Sequence, residues 1–267
     1  MGWRRDRGFP RRVDPDEEHA ADWKDAAAYA PLLEADRSII AWEWLRRDPG
    51  YRGAARAALK GTGVRSVRPE RWGVHAFERP ERSAPDAKPV WSADVHPFVL
   101  GAVAAGPAAP ADAFDLAGLG SLATWAGEGG GPGHLLISDG LRAIRIDIVA
   151  GRVGDGPVRL RYLLAGFASV ERPLVTLGRL VALQRSGRFS RSLHPREARA
   201  RRWLLALRAY DGLIAGADQR EIAATLLSGA AGEPRWRSDA SSVRSQAQRL
   251  VRGARQMAAG GYRDLLR

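Results

Sequence analysis

Residues 208–262 pack helix starts, apolar stripes and stop signals more closely than any other stretch, and they read as consecutive helices joined by a loop. Gly216 ends one helix. Asp218 caps the next, with Glu221 three residues on in a capping-box arrangement. Ile222, Ala223, Leu226 and Leu227 form its inner side. A last long helix begins at Asp239 or Ser241 and stops at Gly260-Gly261. On a helical wheel, Val243, Ala247, Leu250, Val251 and Ala254 cluster within about 100 degrees. Ser241, Ser245, Gln248, Arg249, Arg252 and Gln256 face the other way, with Arg244 on the flank.

That outer face carries the chemistry. Four arginines fall between Arg244 and Arg255 with no acid among them. Arg and Gln make the bidentate contacts that distinguish guanine and adenine edges in the major groove. Ser241 and Ser242 stand where a helix start offers free N–H groups to phosphate. A bland reading competes, since charged helix faces are commonly just solvated. The connection, Ser228 to Arg237, is also longer than the 3–4 residues of a tight helix-turn-helix. Trp236 is expected to plug that loop onto the core, leaving Arg235 and Arg237 in reach of a DNA backbone.

Charge distribution points the same way. The net charge is +12, and Gln184 to Arg267 holds 17 Arg against 7 Asp and Glu, so nearly all of the excess lies there. A basic segment concentrates near polyanions, and this segment is expected to bind DNA by itself. Arginine outnumbers lysine 39 to 3. Its fork suits phosphate and guanine, although a GC-rich genome produces the same bias. The absence of cysteine excludes disulfides, thiolate zinc sites and a Cys nucleophile. The longest apolar run, Phe98 to Ala105, falls well short of the ~18 residues of a membrane span. The arginine-rich start lacks the apolar stretch of a signal peptide. A cytoplasmic, nucleoid-associated protein without membrane contact is expected.

The chain divides into four parts. Residues 1–20 read as a disordered basic tail. Residues 21–66 form a small helical unit rich in Trp, Tyr, Leu and Ile, with Ser38 as N-cap of a helix over 39–47 and Asp48-Pro49 starting another that runs to Leu59. Residues 67–183 read as β-rich, with strands at 72–77, 97–103, 134–138, 141–149 and 158–164, a flexible Gly127–Gly133 loop, and a helix over 173–184. An antiparallel sheet with a helix on it is expected. Residues 184–267 form the helical end, beginning with a helix from Pro195 to about Ile214. The fold class is α+β: a small N-terminal helical unit, a β-rich middle, and a C-terminal helix-turn-helix DNA-binding domain.

Enzyme readings are weaker. The five histidines are scattered without metal-ligand spacing, and His96 and His134 read as polar edge residues. Residues 118–123 match G-x-G-x-x-A superficially, but the glycines from Gly127 cut short the helix a dinucleotide site needs. Tyr262, as a recombinase nucleophile, lacks an ordered Arg/His set and reads instead as packing near Leu265 and Leu266. No catalytic residue, metal or cofactor is expected.

Two segments resemble known families. Trp23-Lys-Asp-Ala-Ala-Ala-Tyr-Ala-Pro-Leu-Leu-Glu-Ala-Asp-Arg and Ala41-Trp-Glu-Trp-Leu-Arg-Arg-Asp-Pro-Gly-Tyr51 resemble an N-terminal transcriptional regulator domain common in alphaproteobacteria. Leu207 to Ala223, Trp236, Val243 to Leu250 and Gly260 to Leu266 resemble the DNA-binding domain of RovC-type activators. The resemblance implies an activator of type VI secretion or mobile-element transfer genes, working as a dimer or hexamer on double-stranded DNA, with RNA polymerase as a further partner. It implies a DNA surface of Gln219, Arg220, Arg244, Gln248 and Arg249. Ser241, Ser242, Ser245, Arg235, Arg237 and Arg252 extend that surface by the wheel and the loop. The alternatives are an accessory factor for replication or excision of a mobile element, and a DNA recombinase.

Overall fold

The first described element is a 3-10 helix over Ala27–Glu34, followed by α1 (Arg37–Leu45) and α2 (Pro49–Leu59). The computed structural model describes residues 22–62, 67–128, 130–227 and 240–267. α2 starts where Asp48-Pro49 predicts: the Asp48 carboxylate accepts from the Tyr51 N–H at 2.7 Å, and Pro49 occupies the first turn. α1 departs from expectation. It starts at Arg37, and Ser38 lies buried inside it. Asp36 holds the cap position but turns its carboxylate outward, to the Ala143 N–H (2.9 Å) and the His194 ring (2.8 Å). Ser38 does not cap because this helix end is pinned to the sheet instead.

The middle of the chain forms six strands: β1 (Val99–Pro107), β2 (Ala113–Phe114), β3 (Ala123–Gly127), β4 (Gly133–Ser138), β5 (Ala143–Ala150) and β6 (Val158–Leu163). They order as β2-β6-β1-β5-β4-β3. The sheet is mixed, not antiparallel as expected: β1 and β5 pair in parallel. The chain leaves β1, travels to the far edge, and returns through the β3-β4-β5 meander to lie beside it. β5 is thereby central and covered on both faces. This explains why its alternation is only partial in the sequence.

Two further expectations change. Residues 72–77 are not a strand; a tight turn over Pro69–Trp72 leads to left-handed Gly73 (φ 79°) and a single bridge from Val74 to Trp91. A Cβ on Gly73 would stand 2.7 Å from a Val95 methyl. The loop expected at Gly127–Gly133 joins β3 to β4, and Gly127 and Gly133 pair at its base. α4 begins at Ala200, not Pro195.

After the sheet come α3 (Glu171–Ser186), α4 (Ala200–Ile214), α5 (Gln219–Leu226), α6 (Ala240–Ala258) and a closing turn, Gly261–Leu266. Adjacent residues of a strand point to opposite faces, and the sheet uses this to serve two cores. Leu135, Ile137, Ile144, Ile146 and Ile148 meet Leu180 and Leu183 of α3 on one side. Leu136 and Ala143 face the other core. That second core joins Trp23, Tyr29, Ile40, Trp42 and Trp44 to Leu204, Leu207, Ile222, Val251, Tyr262 and Leu266. The N-terminal helices and the last three helices therefore bury a common apolar interior. The fold is α+β, with helices at both ends of the chain and the sheet between them in sequence.

Candidate nucleic-acid interface

α6 buries one face and exposes the other, as its wheel predicts. Ala247, Val251 and Ala254 are buried against α4, α5 and the closing turn, with Val243 and Leu250 half-buried beside them. Ser242, Arg244, Ser245, Gln248, Arg249, Arg252, Arg255 and Gln256 are exposed. Among the described residues, no ion pair holds Arg249, Arg252 or Arg255. Three guanidiniums thus stand exposed on one helix with no acid paired to them among the described residues.

α5 supplies the second edge. The Asp218 carboxylate accepts from the Glu221 N–H at 2.8 Å. Glu221 turns its own carboxylate to Lys24 (2.9 Å) instead of back to the cap. Only the Asp218 half of the capping box is therefore made, and the other side chain ties α5 to the N-terminal segment. Ile222 and Ala223 are buried; Arg220 is exposed and Gln219 half-buried. Gln219 and Arg220 thus open α5, and Arg244, Gln248, Arg249 and Arg252 line α6. Arg235, Trp236, Arg237 and the side chain of Ser241 lie outside the described residues.

The scaffold behind these helices is held by buried charge. Arg47 reaches from the end of α1 to Asp211 of α4, at 2.6 and 2.8 Å, and to Glu43 at 2.7 Å. Arg46 also donates to Glu43 (2.7 Å), and the Tyr29 hydroxyl donates to Asp211 (2.6 Å). Burial alone would raise the Glu43 pKa, but the Arg46 and Arg47 guanidiniums outweigh it and hold the carboxyl below its ordinary value. The Tyr29 hydroxyl is pushed up by burial and by the Asp211 charge. The Glu43 pairs with Arg46 and Arg47 are local, but no pattern in the sequence foretells the links to Asp211, which lies more than 160 residues from Arg47 and Tyr29.

Other residues singled out in the sequence sit in the interior. Tyr262 is buried in the shared core. His96 is not an edge residue: it is buried, and its Nδ1 donates to the Leu266 carbonyl at 3.0 Å. Only folding brings the last residues of the chain to it. His134, His75 and Asp147 form a cluster that spacing could not reveal, since each comes from a different segment.

Residues 170–267 match the family model of the RovC DNA-binding domain, described as the DNA-binding domain of a T6SS transcription factor. The chain is a DNA-binding transcriptional regulator. Residues 22–75 match a proteobacterial transcriptional regulator-like domain. Comparisons with curated proteins and with solved structures gave no match. The DNA-binding domain spans α3 to the closing turn and so contains the whole exposed arginine face. Both domain descriptions are of regulators, and among the described residues no helix is long and apolar enough to cross a membrane.

Proposed function

We propose that this regulator is a sequence-specific activator that reads double-stranded DNA through α6. The observation that carries this reading is the exposed arginine and glutamine face of a helix whose opposite face is locked into the core. In the proposal α5 and α6 act as a helix-turn-helix with an extended connection, and α6 enters the major groove. Arg244 and Gln248 contact base edges. Arg249, Arg252, Gln219, Arg220, Ser245 and the serines at the α6 start, Ser241 and Ser242, contact the backbone, joined by Arg235 and Arg237. The targets are secretion or mobile-element transfer genes, the compartment is the cytoplasm, and the complex recruits RNA polymerase.

A single reading helix covers few base pairs, so the proposal includes an even-numbered homo-oligomer on an inverted repeat. Exposed apolar residues favour it: Tyr162, Leu163 and Leu164 at the end of β6, then Phe167, fully exposed, and Leu174 and Val175 on α3. β2 pairs only with Val158 and Arg159, so the rest of that β6 edge is unpaired among the described strands.

Fluorescence anisotropy on a selected operator tests the reading. Arg244→Ala should weaken specific binding by about 1–3 kcal/mol and relax sequence preference. Arg252→Ala should weaken all DNA alike and reduce the salt slope by about one unit. Parent-like binding by both variants refutes α6 as the reader. Sedimentation velocity tests assembly: a strict monomer that protects one asymmetric half-site removes the oligomer from the proposal.

A further inference from the structure

A second cluster of polar side chains lies on one face of the sheet, at β4 and β5. His134 of β4 stands directly opposite Asp147 of β5 in the antiparallel register. Both project from the face that carries Leu136 and Arg145, because residues two apart on a strand share a side. His134 Nδ1 lies 2.7 Å from Asp147 Oδ1. Arg145, itself buried, donates to the same oxygen at 2.8 Å and to the backbone carbonyls of Trp91, Leu135 and Ile146. His75 arrives from a different part of the chain. Its backbone N–H donates to the Val90 carbonyl at 2.8 Å, and its ring lies flat on His134, with centroids 3.3 Å apart and planes 6° from parallel.

One possible ligand atom from each of His75, His134 and Asp147 lies within 4.8 Å of the other two. His75 Nε2 is shielded from solvent and has no hydrogen-bond partner among the described residues. Buried ring nitrogens normally find a partner, so such an atom calls for an explanation. Two stacked imidazoles also pack poorly if both carry charge. His96 and His194 already hold the Leu266 carbonyl and the Asp36 carboxylate.

We propose that His75, His134 and Asp147 bind one divalent transition-metal ion of the zinc class. Neutral imidazoles with a carboxylate are the donor set that suits such ions, whereas calcium and magnesium take all-oxygen sites. The bound ion satisfies His75 Nε2, and water completes the shell. Arg145 holds Asp147 from outside, as second partners do around metal ligands. A tetrahedral ion with bonds of about 2.0–2.1 Å wants neighbouring ligand atoms roughly 3.3 Å apart, and the proposal requires the two rings, which lie flat on each other without the ion, to swing out of parallel so that both nitrogens aim at it. The ion ties residue 75, the last of the regulator-like domain, to the paired strands β4 and β5. It thereby couples that domain to the sheet.

The test uses the full chain, stripped with a chelator and titrated with Zn²⁺ and Co²⁺. The expected result is one saturable equivalent per chain, a tetrahedral Co²⁺ absorption band, and a raised melting temperature. His75→Asn and His134→Asn should each weaken binding at least about tenfold while keeping the parental far-UV spectrum; His19→Asn should not. Should a variant fail to fold, mapping of histidine acylation by diethyl pyrocarbonate in the parent decides. Zn²⁺ must protect His75 and His134. The absence of a saturable equivalent, binding that survives both substitutions in folded protein, or unprotected His75 and His134 each overturns the site.

Discussion

α1 and α6 touch the same hydrophobic core and treat their charges in opposite ways. Eight of the nine residues of α1 are buried, and its Glu43, with Arg46 and Arg47 just beyond its end, is paired inside the protein. α6 buries a narrow stripe of Ala, Val and Leu and leaves Arg249, Arg252 and Arg255 in solvent. Arginine is the same residue in both places, with the same fork and the same fixed charge. Around α1 it is a structural tie whose removal leaves carboxylates stranded. On α6 it contributes little to the fold and is available to a polyanion. The role of an arginine here follows from whether a carboxylate waits for it across the core.

The largest effect that could break this contrast concerns the shared interior. Charge alone predicts that Gln184–Arg267 acts by itself. In the structure α4, α6 and the closing turn bury Leu204, Leu207 and Tyr262 against Trp23, Tyr29 and Trp44. The isolated fragment should therefore lose cooperative thermal unfolding by circular dichroism and bind DNA without sequence preference. A cooperative, parent-like melt of the fragment would show that α6 needs no support from α1.

Next in size is the buried network itself. Glu43→Ala leaves the Arg46 and Arg47 charges short of a partner and should cost about 3–5 kcal/mol in chemical denaturation. Because the folded-state pKa of Glu43 is lowered, its contribution is present above the unfolded carboxylate value of about 4.3 and fades as pH falls through the folded one. Glu43→Gln should accordingly flatten the loss of stability below about pH 4.5 relative to the parent. A loss in Glu43→Ala no larger than that of an exposed pair would place α1 and α6 in one class.

A smaller change is expected at the start of α5. Asp218→Ala removes the carboxylate that holds the Glu221 N–H and should cost about 1 kcal/mol. DNA affinity should change little at protein concentrations where the variant stays folded. The smallest effect sharpens the contrast from the other side. Arg249→Ala should alter stability by no more than about 0.5 kcal/mol, as exposed substitutions do, while weakening DNA binding measurably. A destabilisation comparable to that of Glu43→Ala would mean that α6 arginines are structural after all.

Much of this was readable in advance where the information is local. The two faces of α6 follow from the spacing of Val243, Ala247, Leu250, Val251 and Ala254, and the Asp48-Pro49 start of α2 from capping chemistry. The strands at β4, β5 and β6 show as short apolar runs, and Ser138-Asp139-Gly140 marks the turn between β4 and β5. β3 was not readable: Ala123-Thr-Trp-Ala-Gly127 is short, half-buried and next to glycines, and only pairing with β4 makes it a strand. The Trp72–Phe77 run looked like a strand because it is aromatic. Gly73 breaks it, and its rings instead fill the core around Tyr51.

The sequence by itself determined the helices, most of the strands, the α+β class and the arginine face of α6, because each depends on neighbours within a few turns of chain. Tertiary structure alone decided what lies beside what. It set β1 parallel to β5, turned Asp36 from a helix cap into a tie to Ala143 and His194, buried His96 against Leu266, and brought His75 onto His134 and Asp147. These arrangements join residues tens to hundreds of positions apart. No local periodicity encodes them, because each exists only once two apolar faces have found each other and excluded water between them.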